Sequence, residues 1–193
     1  MILEGIVTTL DAGGALNVAP MGPRVEPDMR RFVLRPFRTS TTYRNLKARG
    51  EGVLHVTDDV LLLARAAIGR VDDAPTRPAS AVAGRILADA CRYYEFRVAE
   101  RDDRQERTTI VAETVASGSL RDFFGLNRAK HAVVEAAILA TRTAFLPHPE
   151  ILADFGRLAP LVEKTGGESE RVAFAMLLAH VRASGPRPEG PPP

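Results

Sequence analysis

Arg35-Pro36-Phe37-Arg38-Thr39-Ser40-Thr41-Thr42-Tyr43-Arg44-Asn45-Leu46 is the densest run of chemistry in the chain. Two arginines and four consecutive hydroxyl residues stand immediately before Tyr43 to Arg49, a segment that reads as a helix stopped by Gly50. A helix start offers unpaired backbone N–H groups and the positive end of a dipole, and both favour an anion. Hydroxyl and guanidinium groups are suited to surround a phosphate. The stretch is therefore read as a phosphate-binding corner. A plainer reading has Ser40 cap the helix while Arg35 and Arg38 face water.

The residues on either side are strand-like. Ile2 to Leu10 is apolar and β-branched, Asp11-Ala12-Gly13-Gly14 is a turn, and Ala15 to Pro20 resumes as a partner strand. Pro20, Gly22, Pro23 and Pro27 make the next segment irregular, because proline cannot donate to a ladder. Arg31 to Leu34 is a third strand and Val53 to Thr57 a fourth. Asp58-Asp59 caps a short helix, Leu61 to Ala67, and Gly69 to Ala79 is expected as a loop. Ala90 to Glu100 and Arg107 to Ser117 form a long hairpin, with Tyr94, Phe96 and Val98 on one face. Antiparallel strands with little helix suit a small barrel better than a βαβ sheet.

From Asn127 the period changes. Ala129, Ala132, Val133, Ala136, Ala137 and Ala140 recur at helical steps, as do Ile151, Leu152, Phe155, Leu158, Leu161 and Val162 in Glu150 to Lys164. A third helix spans Glu168 to Ala183. The expected organisation is α+β: a barrel over residues 1–120, a three-helix subdomain over 121–184 and a disordered proline-rich tail over 185–193.

Composition excludes several classes. With 26 basic and 24 acidic residues the net charge is +2, and no basic stripe marks a nucleic-acid binder. Apolar runs such as Val60 to Ala64 and Ala132 to Ala140 fall short of the roughly 20 residues of a membrane span. Met1 to Gly5 lacks the basic-then-apolar pattern of a secretory signal, so the expected location is cytoplasmic. The single cysteine, Cys91, forbids an intramolecular disulfide and reads as a buried structural thiol.

No acid, base or nucleophile set stands out. Gly13-Gly14 is not followed by a lysine in a P-loop frame, and Ser117-Gly118-Ser119 is no nucleophile elbow. The four histidines, His55, His131, His148 and His180, have no short-range metal partners. Asp58-Asp59 reads as a helix cap and Asp102-Asp103 as a solvated hairpin tip. A bound cofactor would supply the missing chemistry.

Four blocks, in order, carry a resemblance. They are Asn17-Val18-Ala19-Pro20-Met21-Gly22-Pro23, Arg35 to Ser40, Thr42 to Leu46, and Gly52-Val53-Leu54-His55-Val56-Thr57. Together they resemble the FMN-binding split barrels of the flavin-reductase-like superfamily. The chain is most similar to an uncharacterised archaeal and bacterial family in which a helical C-terminal domain follows the antiparallel split β-barrel. The resemblance implies a homodimer holding FMN near the subunit interface. It implies a ring-side strand at Asn17, Ala19, Pro20 and Met21, and a phosphate and ribityl corner at Arg35, Thr39, Ser40, Thr41 and Thr42. His55 stands where relatives usually present an asparagine to the flavin. The implied function is a flavoprotein, an oxidoreductase of open substrate; the alternative is a non-catalytic FMN- or pterin-binding scaffold.

Overall fold

A computed structural model describes residues 1–71 and 73–185. Two compact units divide the chain: Met1–Asp59 with Val71–Phe124, and Val60–Arg70 with the chain from Gly125 onward.

The first unit holds the strands β1 (Gly5–Leu10), β2 (Leu16–Met21), β3 (Arg24–Val25), β4 (Arg31–Leu34), β5 (Glu51–Val56), β6 (Thr76–Pro78), β7 (Arg85–Leu87), β8 (Arg92–Asp102) and β9 (Thr109–Ser119). It also holds the helix α1 (Thr41–Arg49). Seven strands make one antiparallel sheet in the order β2-β1-β5-β8-β9-β4-β3. Its two ends approach each other: Ile2 bridges Arg24, Leu3 N–H donates to Pro23 O at 3.0 Å, and Val25 N–H donates to Met1 O at 2.9 Å. The β3 edge thus meets the chain entering β1, and the sheet curls into the expected antiparallel barrel.

Inward-facing residues of alternating strands fill it. Val7, Phe32, Leu34, Leu54, Phe96 and Ile110 are buried in one cluster, and α1 adds Tyr43 and Leu46 to it. Phe32 and Phe96 meet edge to face with ring centroids 5.3 Å apart, a preferred aromatic geometry. Pro20 is tolerated because β2 lies at the sheet edge, where a missing N–H breaks no second ladder.

The first hairpin closes where Asp11 Oδ1 accepts from Ala15 N–H at 2.8 Å, across a turn that includes Gly14 at φ 89°. The long β8–β9 hairpin shifts register at Glu95/Phe96 and again at Val98/Glu100, as bulges do.

The segment expected as a loop from Gly69 to Ala79 contains β6, which pairs with β7 from Thr76↔Leu87 to Pro78↔Arg85. Three residues ending in proline carry no readable alternation, so only the partner reveals this ribbon. Cys91 is fully buried immediately before β8, and that burial pushes its thiol up. This fits the structural role expected for it.

The second unit contains α2 (Val60–Ala67), α3 (Arg128–Ala140), α4 (His148–Thr165) and α5 (Glu168–Ser184). The three C-terminal helices pack on one another, and α2 joins them against α3 and α5. The small buried face of α3 (Ala129, Ala132, Ala136, Ala137) permits close helix approach, while the Phe155 and Phe174 rings meet at a tilt, centroids 5.2 Å apart. Asn127 caps α3 by accepting from Ala129 and Lys130 N–H. Inside this unit Lys130 pairs with the nearly buried Glu170 at 2.8 Å. The tail expected to be disordered lies outside the described residues from position 186 on.

Among the described residues, no helix is long and apolar enough to cross a membrane. None of their histidine, cysteine, aspartate and glutamate side chains gather in threes able to hold a metal.

Candidate functional site at the start of helix α1

The site is built on the turn between β4 and α1. Ser40 is the N-cap, extended at φ −74° and ψ 151°. Its Oγ accepts from Tyr43 N–H at 3.2 Å and donates to Phe37 O at 2.7 Å. The helix ends at Gly50, whose left-handed φ of 70° lets its N–H reach Leu46 O. The first turn of α1 contains no acidic residue. No carboxylate of the helix itself therefore cancels the positive end of its dipole.

The turn is laced to the start of β9. Arg107 Nε donates to Arg35 O at 3.1 Å, and Thr108 gives both its N–H and its hydroxyl to Pro36 O, at 3.0 and 2.8 Å. Arg38 N–H donates to Glu106 O at 2.9 Å, and the Arg107 guanidinium lies 5.3 Å from the Phe37 ring centre. From the helix side, Tyr43 Oη donates to Asp103 Oδ2 at 2.7 Å. That hydrogen bond is the main reason the Asp103 carboxyl is held low, with help from the charges of Lys47, Arg101 and Arg38.

Arg44 was not among the expected site residues, yet it folds back over the corner. Its Nη1 donates to Thr39 O at 2.8 Å and its Nη2 to Thr41 Oγ1 at 3.0 Å. Helical spacing foreshadows this, since residues three apart share a face and Thr41 and Arg44 are so spaced. Between Asp28 and Glu51 the chain contains no acidic residue and seven basic ones: Arg30, Arg31, Arg35, Arg38, Arg44, Lys47 and Arg49. Arg30, Arg31 and Lys47 lie beside Asp28, Glu100 and Asp103. Arg49 donates to the carbonyls of Asp11 and Ala12. Among the described residues Arg35, Arg38 and Arg44 form no ion pair, and the buried Nε of Arg35 has no hydrogen-bond partner. A buried guanidinium N–H without a partner is costly unless an acceptor arrives. The donor set fits a multiply charged oxyanion.

The ring-side strand is brought to the same place only in part. Asn17 gives one Nδ2 proton to Thr42 Oγ1 at 3.1 Å and the other to Thr9 Oγ1 at 3.2 Å, so it faces α1. Side chains alternate along a strand, which puts Ala19 and Met21 on that face and Pro20 on the other. Met21 packs against the barrel core. Thr39 and Thr41 are exposed at the corner, whereas Thr42 is nearly buried in its contact with Asn17.

His55 lies elsewhere. It is 0% exposed, with Nδ1 donating to Ile6 O at 3.1 Å and Nε2 accepting from Leu87 N–H at 3.0 Å. That pairing requires the neutral ring. Burial drives its pKa down from the usual range to about 4, against a smaller opposing effect of the Ile6 bond. Both ring nitrogens are thus engaged inside the barrel.

Ser40→Ala separates capping from ligand contact, because its hydroxyl already donates and accepts within the turn. The expected result is a loss of about 1 kcal/mol of stability. Denaturant unfolding measures it, and a loss under about 0.3 kcal/mol would mean the cap contributes nothing here.

Residues 3–121 match the family described as protein of unknown function (DUF447), N-terminal domain, and residues 127–179 match its further part. The chain belongs to the DUF447 family. No curated protein matches it. Among solved structures, an FMN-bound DUF447 protein from Methanosarcina mazei is similar over 93% of this chain and 94% of its own, at 21% identity and a TM-score of 0.78. The 2-nitrobenzoate 2-nitroreductase of Pseudomonas fluorescens is similar over 60% of this chain and 64% of its own, at 18% identity and a TM-score of 0.53. An FMN-binding protein of Thermus thermophilus covers 61% and 70%, at 15% identity and a TM-score of 0.51. At these identities the likeness shows the fold: the DUF447 chain shares with them an antiparallel split barrel, and with the M. mazei protein nearly its whole length.

Proposed function

We propose that this DUF447 protein binds FMN, with the phosphate at the start of α1 and the ring toward β2. The observation that carries the reading is the corner itself: three arginines without ion pairs, an uncancelled helix start and a partnerless buried Nε on Arg35. FMN ends in a phosphate monoester of nearly two negative charges, which matches that donor set. The FMN-bound M. mazei relative supports it from outside the chain.

In this reading Arg35 and Arg44 hold the phosphate oxygens, with the hydroxyls of Thr39 and Thr41 at the rim. Ser40 sets the turn, and Thr42 ties the helix to Asn17. Ala19 and Met21 give the flavin an apolar wall, beside which Pro20 stiffens the strand. Bound FMN would supply electron transfer, chemistry that side chains lack. Titration of the purified protein with FMN, followed by flavin fluorescence, tests the reading. Saturable quenching at micromolar FMN is expected, and an unaffected signal would remove it.

We further propose an oxidoreductase rather than a pterin-binding or purely structural scaffold. The family resemblance to flavin reductases motivates this, and no acid–base set in the site contradicts a cofactor-borne reaction. Rapid mixing of the FMN-loaded protein with NADH or NADPH discriminates: flavin bleaching is expected, and inertness toward both favours the scaffold. A homodimer is part of the same reading. The exposed Phe123 and Phe124 of the barrel unit are apolar surface that a second copy would cover. Sedimentation at micromolar concentration should give twice the chain mass, and a monomer mass would exclude it.

A further inference from the structure

Thr9 has no place in the site as described, yet it is the hub beneath it. It is 1% exposed, in β1, directly opposite Asn17 of β2 in register. Its Oγ1 accepts two amide N–H bonds, from Asn17 Nδ2 at 3.2 Å and from Asn45 Nδ2 at 3.0 Å. Asn45 is itself buried, on α1, and the second Nδ2 proton of Asn17 goes to Thr42 at the start of that helix. Four polar side chains thus join β1, β2 and α1 where the barrel could have packed valine and leucine. Buried polar groups of this kind cost stability unless each is satisfied, and when satisfied they hold a single geometry.

What they hold is the spacing between the strand carrying Asn17, Ala19 and Met21 and the helix start carrying Thr41 and Arg44. We infer that Thr9 is a positioning residue for the FMN site, fixing the distance between its ring-side strand and its phosphate corner. The inference rests on the FMN reading above. A ligand anchored at both ends gains affinity from a fixed spacing, because the second contact is made at high effective concentration. A ligand anchored at one end gains nothing from it. FMN reaches both ends, whereas riboflavin lacks the phosphate and reaches only the strand.

Thr9→Val keeps the shape and removes the hydroxyl. We expect the Kd for FMN to rise about tenfold while that for riboflavin changes by less than about threefold, so that the preference for FMN shrinks. Thr9→Ser, which restores the hydroxyl, should return the FMN affinity to within about threefold of the parent. A role confined to stability would lower the melting temperature and move both ligands alike. Equal losses for FMN and riboflavin, an unchanged FMN affinity, or failure of Thr9→Ser to restore it would each overturn the inference. Should Thr9→Val not fold, Asn45→Leu removes the same bond from the helix side and is read against the same outcomes. Failure of the parent protein to bind FMN would instead overturn the FMN reading itself. Parent binding with parallel losses would overturn only the role of Thr9.

Discussion

His55→Ala should destabilise the barrel by about 4 kcal/mol in denaturant unfolding at neutral pH. The imidazole is fully buried and bonds two backbone groups, Ile6 O and Leu87 N–H, on separate strands. Truncation leaves an unpaired acceptor, an unpaired donor and a cavity, and these costs add. The same residue sets a pH dependence. Its folded pKa, about 4, lies below the ordinary histidine value of 6.5, so the unfolded chain binds more protons between those values. Stability is therefore fully present above pH 6.5 and is lost as pH falls toward 4. The span of that loss is about 3 kcal/mol. Measuring unfolding from pH 7.5 to pH 4 should show this slope, and His55→Ala should flatten it. A loss below about 1 kcal/mol on substitution would show the two backbone bonds to be dispensable.

Arg44→Ala should weaken FMN binding about ten- to a hundredfold, the cost of a charge-assisted hydrogen bond. Its guanidinium is already oriented over the corner by Thr39 O and Thr41 Oγ1, so little further ordering is needed on binding. Arg104→Ala is the matched control, because Arg104 is spent on Asp102 at an exposed hairpin tip. Titrations of both variants decide the point. Equal changes in FMN affinity would place the phosphate somewhere other than the start of α1.

The strands and the helix around the corner were legible because local signals agreed with the fold. The apolar, β-branched run of β1, the turn at Asp11 to Gly14, the hydroxyl N-cap and the stop at Gly50 all point one way. The β6–β7 ribbon was not legible, since its pairing depends on a partner that sequence alone does not place. The membership of α2 in the helical unit was equally hidden. Its apolar residues announce a buried face, but Val60–Arg70 is separated from α3 by half the barrel in sequence.

In the candidate site, residue types predicted the charge of the corner but not how its bonds are shared. Ser40 was readable both as a ligand hydroxyl and as a helix cap, and its hydroxyl bonds Phe37 and Tyr43 as the cap. His55 is kept neutral and occupied by burial that no local pattern reveals. Arg44 was passed over, although its spacing from Thr41 on a helix would have placed it beside the hydroxyls. Thr9 and Asn45 gave no signal, because a lone threonine in a strand and a lone asparagine in a helix are ordinary until they meet.

The most direct test of a phosphate-gripping corner is the affinity of the unmodified protein for FMN compared with riboflavin, which differ only in the phosphate. Two or more charge-assisted bonds at Arg35 and Arg44 should favour FMN by about a hundredfold or more, with the gap narrowing in high salt. Equal affinity for the two flavins would contradict the assignment of Arg35 to Arg44 as the phosphate site.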